Sequence, residues 1–138
     1  MPTLRLVHLA SLAAVALIAA GGCSRSDLPQ LAPVSGVVTL DDAPYPNAHV
    51  MFTPAQGRPA EAVTDSNGKY ELYYLPGTKG AEPGKYTVSI TTQYQAPENP
   101  GNEPPFVEPL PAHYNVSSTL SETVSPGKNE INFALKSK

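Results

Sequence analysis

The sequence predicts an all-β fold, an antiparallel β-sandwich, on three observations. Sixteen prolines and ten glycines interrupt the 138 residues too often for long helices. From Val34 onward, short runs rich in Val, Thr and Tyr alternate apolar with polar side chains, the period of a half-buried strand. Between these runs stand clusters of Asp, Asn, Pro and Gly, the residues of tight connections. A strand that alternates has one dry face and one wet face, so two sheets must stack their dry faces together.

The amino terminus, MPTLRLVHLASLAAVALIAAGGC, belongs to none of these strands. Arg5 opens it with a positive charge, and the run Leu9 to Ala20, about twelve residues, is apolar apart from Ser11. A spanning helix needs roughly 20 such residues, so the run has the length of a signal-peptide core. Small residues follow, and then Cys23, the single cysteine of the chain. Ala20-Gly21-Gly22-Cys23 resembles a bacterial lipobox. The resemblance implies that residues 1–22 are a lipoprotein signal peptide, that Cys23 is lipidated, and that Cys23 becomes the first mature residue. Two or more acyl chains anchor stably where one does not. The formal net charge is −3, and losing Arg5 makes the remainder more acidic. Such a body is not drawn to anionic headgroups, so the lipid is the expected link to the membrane. Residues 23–33, with Pro29 and Pro33, read as a stiff tether, and residues 34–138 as one domain.

The strands follow in order. In VSGVVTL, Val34, Gly36, Val38 and Leu40 share a face; DDAPYPN turns the chain; AHVMFT places Ala48, Val50 and Phe52 inward and His49, Met51 and Thr53 outward, and Pro54 ends it. AEAVTD sets Ala60, Ala62 and Thr64 against Glu61 and Val63. KYELYYL reads as one strand with Tyr70, Leu72 and Tyr74 on one face, and KYTVSITTQ as another with Tyr86, Val88 and Ile90 inward. Residues 94–111 carry six prolines and form an unusually long connection, the kind that is functional or mobile. SSTLSETV and NEINFALK are the last two strands, joined by SPGKN as a hairpin turn, with Ile131, Phe133 and Leu135 inward. The total is about seven short strands.

VTDSNGKYEL raises the question of a cation loop. With Asp65 as the first ligand of an EF-hand, the fifth position is Lys69, the sixth is Tyr70 rather than glycine, and the twelfth is Pro76. The match fails at each deciding place. Asn67-Gly68 instead predicts a hairpin turn with positive φ at both residues, and Asp65 is expected to accept a hydrogen bond from a nearby backbone N–H.

SGVVTLDDAPYPNAHVMFTP, then AVTDSNGKYEL, then PGKYTVSI resemble, in that order, the carboxypeptidase regulatory-like domain. The resemblance spans most of residues 34–135 and implies a prealbumin (transthyretin)-like, seven-stranded Greek-key sandwich. At the first turn, where that family usually has glycine and then a polar residue, this chain has Asp42 and Ala43. PAHYN and STLSETVSPGKNEINFAL further resemble small lipoproteins of planctomycete-type bacteria. The prealbumin-like fold also carries hydroxyisourate hydrolase, whose chains end in Tyr-Arg-Gly-Ser; this chain ends FALKSK.

The sequence provides little catalytic equipment. A nucleophile needs a base in reach, and the base needs an orienting group. His8 lies in the signal segment, which leaves His49 and His113, far apart in sequence and without a placed partner. No metal and no cofactor is expected, and with no basic stretch nucleic acid is an unsuited partner. The expected function is therefore non-enzymatic: a lipid-anchored envelope protein acting in binding, adhesion or scaffolding, with an envelope protein as partner. The alternative is a carbohydrate-binding module using exposed tyrosines. Tyr73 falls on a wet face, and Tyr45 and Tyr94 lie in or beside loops, where they either contact a ligand or fold back over sheet edges. A small hydrolase is the third reading. Asn115-Val116-Ser117 matches a glycosylation pattern, incidental in a bacterial lipoprotein.

Overall fold

A computed structural model describes residues 27–138. The expected signal segment, Cys23 and the first residues of the expected tether lie outside these. Among the described residues the chain is all-β, with eleven short strands, one turn of 3-10 helix and no α-helix. The strands are β1 (Val34–Leu40), β2 (Ala43–Pro44), β3 (Ala48–Pro54), β4 (Ala60–Val63), β5 (Lys69–Glu71), β6 (Tyr73–Leu75), β7 (Thr78–Lys79), β8 (Gly84–Thr92), β9 (Leu120–Val124), β10 (Asn129–Glu130) and β11 (Phe133–Leu135).

They form two sheets. The larger runs β7-β6-β4-β3-β8-β9, antiparallel throughout. Its spine is the β3–β8 pair, in register from Ala48↔Thr92 to Pro54↔Tyr86. The other sheet is gathered on β1: β2 and β5 pair with it antiparallel, β10 and β11 parallel. The alternation predicted for the long strands holds. Ala48, Val50, Phe52, Ala60, Ala62, Val88 and Ile90 are buried, and their odd-numbered neighbours on β3 and β4 face outward.

An aromatic chain joins the two sheets across the core. Tyr70 and Phe133, from the β1 sheet, lie 6.2 Å apart by ring centroid, Phe133 stands 6.1 Å from Phe52 at 74°, and Phe52 lies 5.7 Å from Tyr86. The tilted and edge-on contacts suit the ring quadrupoles, and each buried ring adds about 1.5–3 kcal/mol of apolar transfer. The two sheets therefore pack in a sandwich-like arrangement.

Four sequence expectations change. KYELYYL is two strands: at Leu72 the chain leaves β1 and joins β4, so one apolar run serves both sheets. NEINFALK also breaks, because Ile131 and Asn132 bulge. The Ile131 N–H donates to the Ser35 carbonyl (2.8 Å), and the Asn132 side chain accepts from the Val37 N–H (2.8 Å). The bulge presses the Ile131 carbonyl onto Gly36, where a Cβ would overlap it. The pairing is not antiparallel throughout, since the last strand segments run parallel to β1. Turn chemistry specifies sequential neighbours; the partner of a terminal segment depends on which edge stays open. Finally, SPGKN is no hairpin. It carries the chain from β9 in one sheet to β10 in the other, and Asn129 closes it through Ser125 N–H (2.9 Å), Ser125 C=O (2.8 Å) and Gly127 C=O (2.9 Å).

Candidate functional site

The Asp65 turn is structural. One carboxylate oxygen accepts from the N–H groups of Asn67 (2.8 Å) and Lys69 (3.0 Å), Gly68 N–H donates to the Asp65 carbonyl (3.0 Å), and Asp65 N–H donates to the Lys69 carbonyl (2.9 Å). Only Gly68 has positive φ, +72°; Asn67 does not, contrary to the paired left-handed turn expected. The geometry is that of an ordinary turn followed by a left-handed glycine, the three-residue hairpin class. Gly68 is fixed a second time by packing, since a Cβ there would strike the Val38 carbonyl. The residues with two successive positive φ values are Asp41 (49°) and Asp42 (69°), in the two-residue loop between Leu40 and Ala43.

The three candidate tyrosines do not converge. Tyr45 folds back against the core, and its hydroxyl meets Thr92 Oγ1 at 2.6 Å. The Thr92 hydroxyl proton is given to Glu108 (2.7 Å), so Tyr45 is the donor in that contact. Glu108 also accepts from the N–H of Thr92 (2.8 Å) and of Leu110 (3.1 Å), and Leu110 is buried. These bonds clip the far end of the proline-rich loop to β8. Beyond the clip, Tyr94 stacks on Phe106 at 4.3 Å and 10°, and both rings remain partly exposed beside Val107, which is 79% exposed.

Tyr73, on β6, is 37% exposed and lines a groove of about 690 Å³ with Ser35, Val37, Val63, Asp65, Lys69, Glu71, Lys128 and Glu130. The volume is in the range of small-ligand sites. Sequence reading missed the groove, because its walls come from β1, the β4–β6 hairpin and the segment around β10, and only the crossing at Leu72 unites them. Lys79 pairs with Glu71 at 2.9 Å, and that hydrogen bond raises the lysine above its ordinary value. Tyr70 lies beneath the groove. Burial, and secondarily the charge of Glu122, pushes its phenol far above the usual range, and its hydroxyl donates to the Ile131 carbonyl (2.6 Å).

The histidines lie apart. His49 meets the Glu61 carboxylate at 2.8 Å on the outer face of the larger sheet, a pairing that follows from the β3–β4 register. His113 rests on Tyr114. No three His, Cys, Asp or Glu side chains converge among the described residues. The Asn115 amide is spent inside the fold, donating to the Pro111 (3.2 Å) and Ile90 (3.4 Å) carbonyls, so its role is to tie the loop's end to β8.

The fold and groove define an all-β, sandwich-like arrangement of the described residues with an open, mixed-polarity cleft. No family model matches the chain, and no curated protein matches it. Among solved structures it is similar to a DUF3823 family protein from Parabacteroides merdae ATCC 43184, with a TM-score of 0.43 and 13% identity over 75% of this chain and 45% of that one. The matched region is thus less than half the length of that structure.

Proposed function

We propose that this chain is a non-enzymatic, lipid-anchored binding module of a bacterial cell envelope, on a prealbumin-like, seven-stranded Greek-key sandwich. The strand segments support the last part. β5 and β6 are separated by Leu72 alone, and β10 and β11 by two residues. Joined, they leave β1, β3, β4, β5–β6, β8, β9 and β10–β11 as the seven, with β2 and β7 as short additions. Lipidation at Cys23, cleavage after residue 22 and kinship with planctomycete-type lipoproteins rest on the sequence motifs.

The observation that carries the binding role is the loop 94–111. It presents Tyr94, Phe106 and Val107 to solvent while Glu108 and Leu110 hold its base to the sandwich. Aromatic groups on a stiffened segment lose little entropy on docking, which suits a protein-contact surface. The anchor is tested by Cys23→Ser, which moves the protein from the membrane to the soluble fraction; retention in the membrane defeats the anchor. The contact surface is tested by cross-linking in the native envelope. Tyr94→Ala with Phe106→Ala abolishes the cross-linked species formed by the wild type, and an unchanged pattern removes the loop from the contact. The carbohydrate reading retains Tyr73, which lines the groove, since Tyr45 is spent on Thr92 and Tyr94 belongs to the loop surface.

A further inference from the structure

The β4–β6 hairpin is closed at both ends and open in the middle. Glu61 pairs with Tyr73, and Asp65 N–H reaches the Lys69 carbonyl. The same register sets Val63 opposite Glu71, yet no pairing joins them. The cause is β1. Leu72 N–H donates to the Val34 carbonyl (2.9 Å) and the Gly68 carbonyl accepts from Val38 N–H (2.8 Å), pulling β5 into the other sheet. Strand alternation then decides where the free groups point. Thr64 N–H faces β3, donating to the Ala48 carbonyl, so the N–H and C=O of Val63 face away from β3. Gly68 and Leu72 face β1, so the N–H and C=O of Glu71 face away from β1. Two backbone donors and two acceptors thus border one groove, which also holds Tyr73.

The groove's charge is balanced. Lys69 and Lys128 stand against Asp65 and Glu130, and Glu71 already carries Lys79. A phosphate or a polycation needs an excess of one sign, and this groove has none. A hydroxyl both donates and accepts, so a polyol suits walls that mix the two. Val37 and Val63 and the exposed ring of Tyr73 add apolar contact for a sugar face. An added peptide strand fits poorly, because the closed pairs on either side leave one residue of free ladder on each wall. We propose that the groove between β1, β10 and the opened hairpin binds a neutral glycan, with Tyr73 as the stacking residue and the backbone of Val63 and Glu71 as hydrogen-bonding partners. The proposal rests on the binding-module reading but uses a different surface from the proline-rich loop.

The test is an array of neutral oligosaccharides, acidic oligosaccharides and extended peptides, probed with the full chain in detergent. The expected result is binding to neutral oligosaccharides that changes less than about twofold from roughly 50 to 500 mM salt. Tyr73→Ala weakens it by about tenfold, the scale of one lost aromatic face, and Tyr73→Phe retains it. Titration with the bound oligosaccharide shifts the Val63 and Glu71 amide resonances, a readout that a folding defect in one variant leaves intact. The proposal is overturned by no neutral-glycan binding, by binding confined to acidic glycans or to peptides, or by binding that survives Tyr73→Ala. Loss with Tyr94→Ala alone would place the site on the loop. Loop variants and Cys23→Ser leave groove binding unchanged, so failure of the groove and failure of the anchored-module reading are separable.

Discussion

The two sheets reach order by different means. The larger one rests on β3 and β8, which pair over seven consecutive positions without interruption. The smaller one has a single long member, β1, to which four short segments attach, two of them across a bulge. A continuous ladder distributes its stability over many equivalent contacts. A sheet hung on one strand concentrates it at the points where segments must approach closely, here Gly36 and Gly68. The open groove lies on this second kind of construction, since a strand shared between two sheets leaves part of each edge unpaired.

The widest difference should appear between Phe52→Ala and Gly36→Ala. Phe52→Ala, in the continuous sheet, empties the core beside Tyr86 and Phe133 and costs about 3–5 kcal/mol in denaturant unfolding. Gly36→Ala drives a methyl into the Ile131 carbonyl and costs about 3 kcal/mol. Hydrogen exchange separates them. Gly36→Ala strips protection from Ile131 and Phe133 while the β3–β8 amides stay protected, and uniform loss in both variants would erase the distinction. Next comes Gly68→Val, which meets both positive φ and the Val38 carbonyl and costs about 2 kcal/mol. An unchanged melting temperature would contradict the turn geometry.

Smaller effects sharpen the contrast. Tyr70 holds the bulge from below, and its phenol is raised above the ordinary 10.0. The unfolded phenol ionises first, so above about pH 10 the unfolded state holds fewer protons and stability falls as pH rises; below that, both forms keep the proton and the contribution is whole. Burial also raises Tyr86, in the larger sheet, but less far than it raises Tyr70. Tyr70→Phe should therefore flatten the alkaline loss of stability more than Tyr86→Phe does, while costing about 1–3 kcal/mol at neutral pH by orphaning the Ile131 carbonyl. Equal slopes in the two variants would remove Tyr70 from its special place. Least of all is Asp42→Gly, at a position with φ +69°. It relieves the left-handed strain and gives up only an exposed pair with Lys136, a net gain of about 0.5 kcal/mol read as a higher melting temperature.

Local pattern carried much of this fold. The alternation in AHVMFT, AEAVTD and KYTVSITT named the buried faces, and the departure at Asp42 marked a turn that prefers glycine. The acid-amide-glycine run at Asp65 was legible as a turn, though not its type: the choice between one and two left-handed residues depends on the flanking strands' twist and on Val38 above Gly68. The groove was not legible. Tyr73 stood out only as an outward aromatic, and nothing local linked it to Lys128 or Ser35.

By itself, the sequence determined which side chains are dry, where the chain turns, and that two layers must cover each other. Those are properties of neighbours two to four residues apart, set by the pleat and by turn sterics. Only the tertiary structure decided that β5 and β6 part company at Leu72, that the terminal segments run parallel to β1, and that no ladder pairing joins Val63 to Glu71. The reason is competition: β1 and β4 both claim the same strand, and which claim prevails at each residue depends on hydrogen bonds between groups 38 and 30 positions apart, Val34 to Leu72 and Val38 to Gly68.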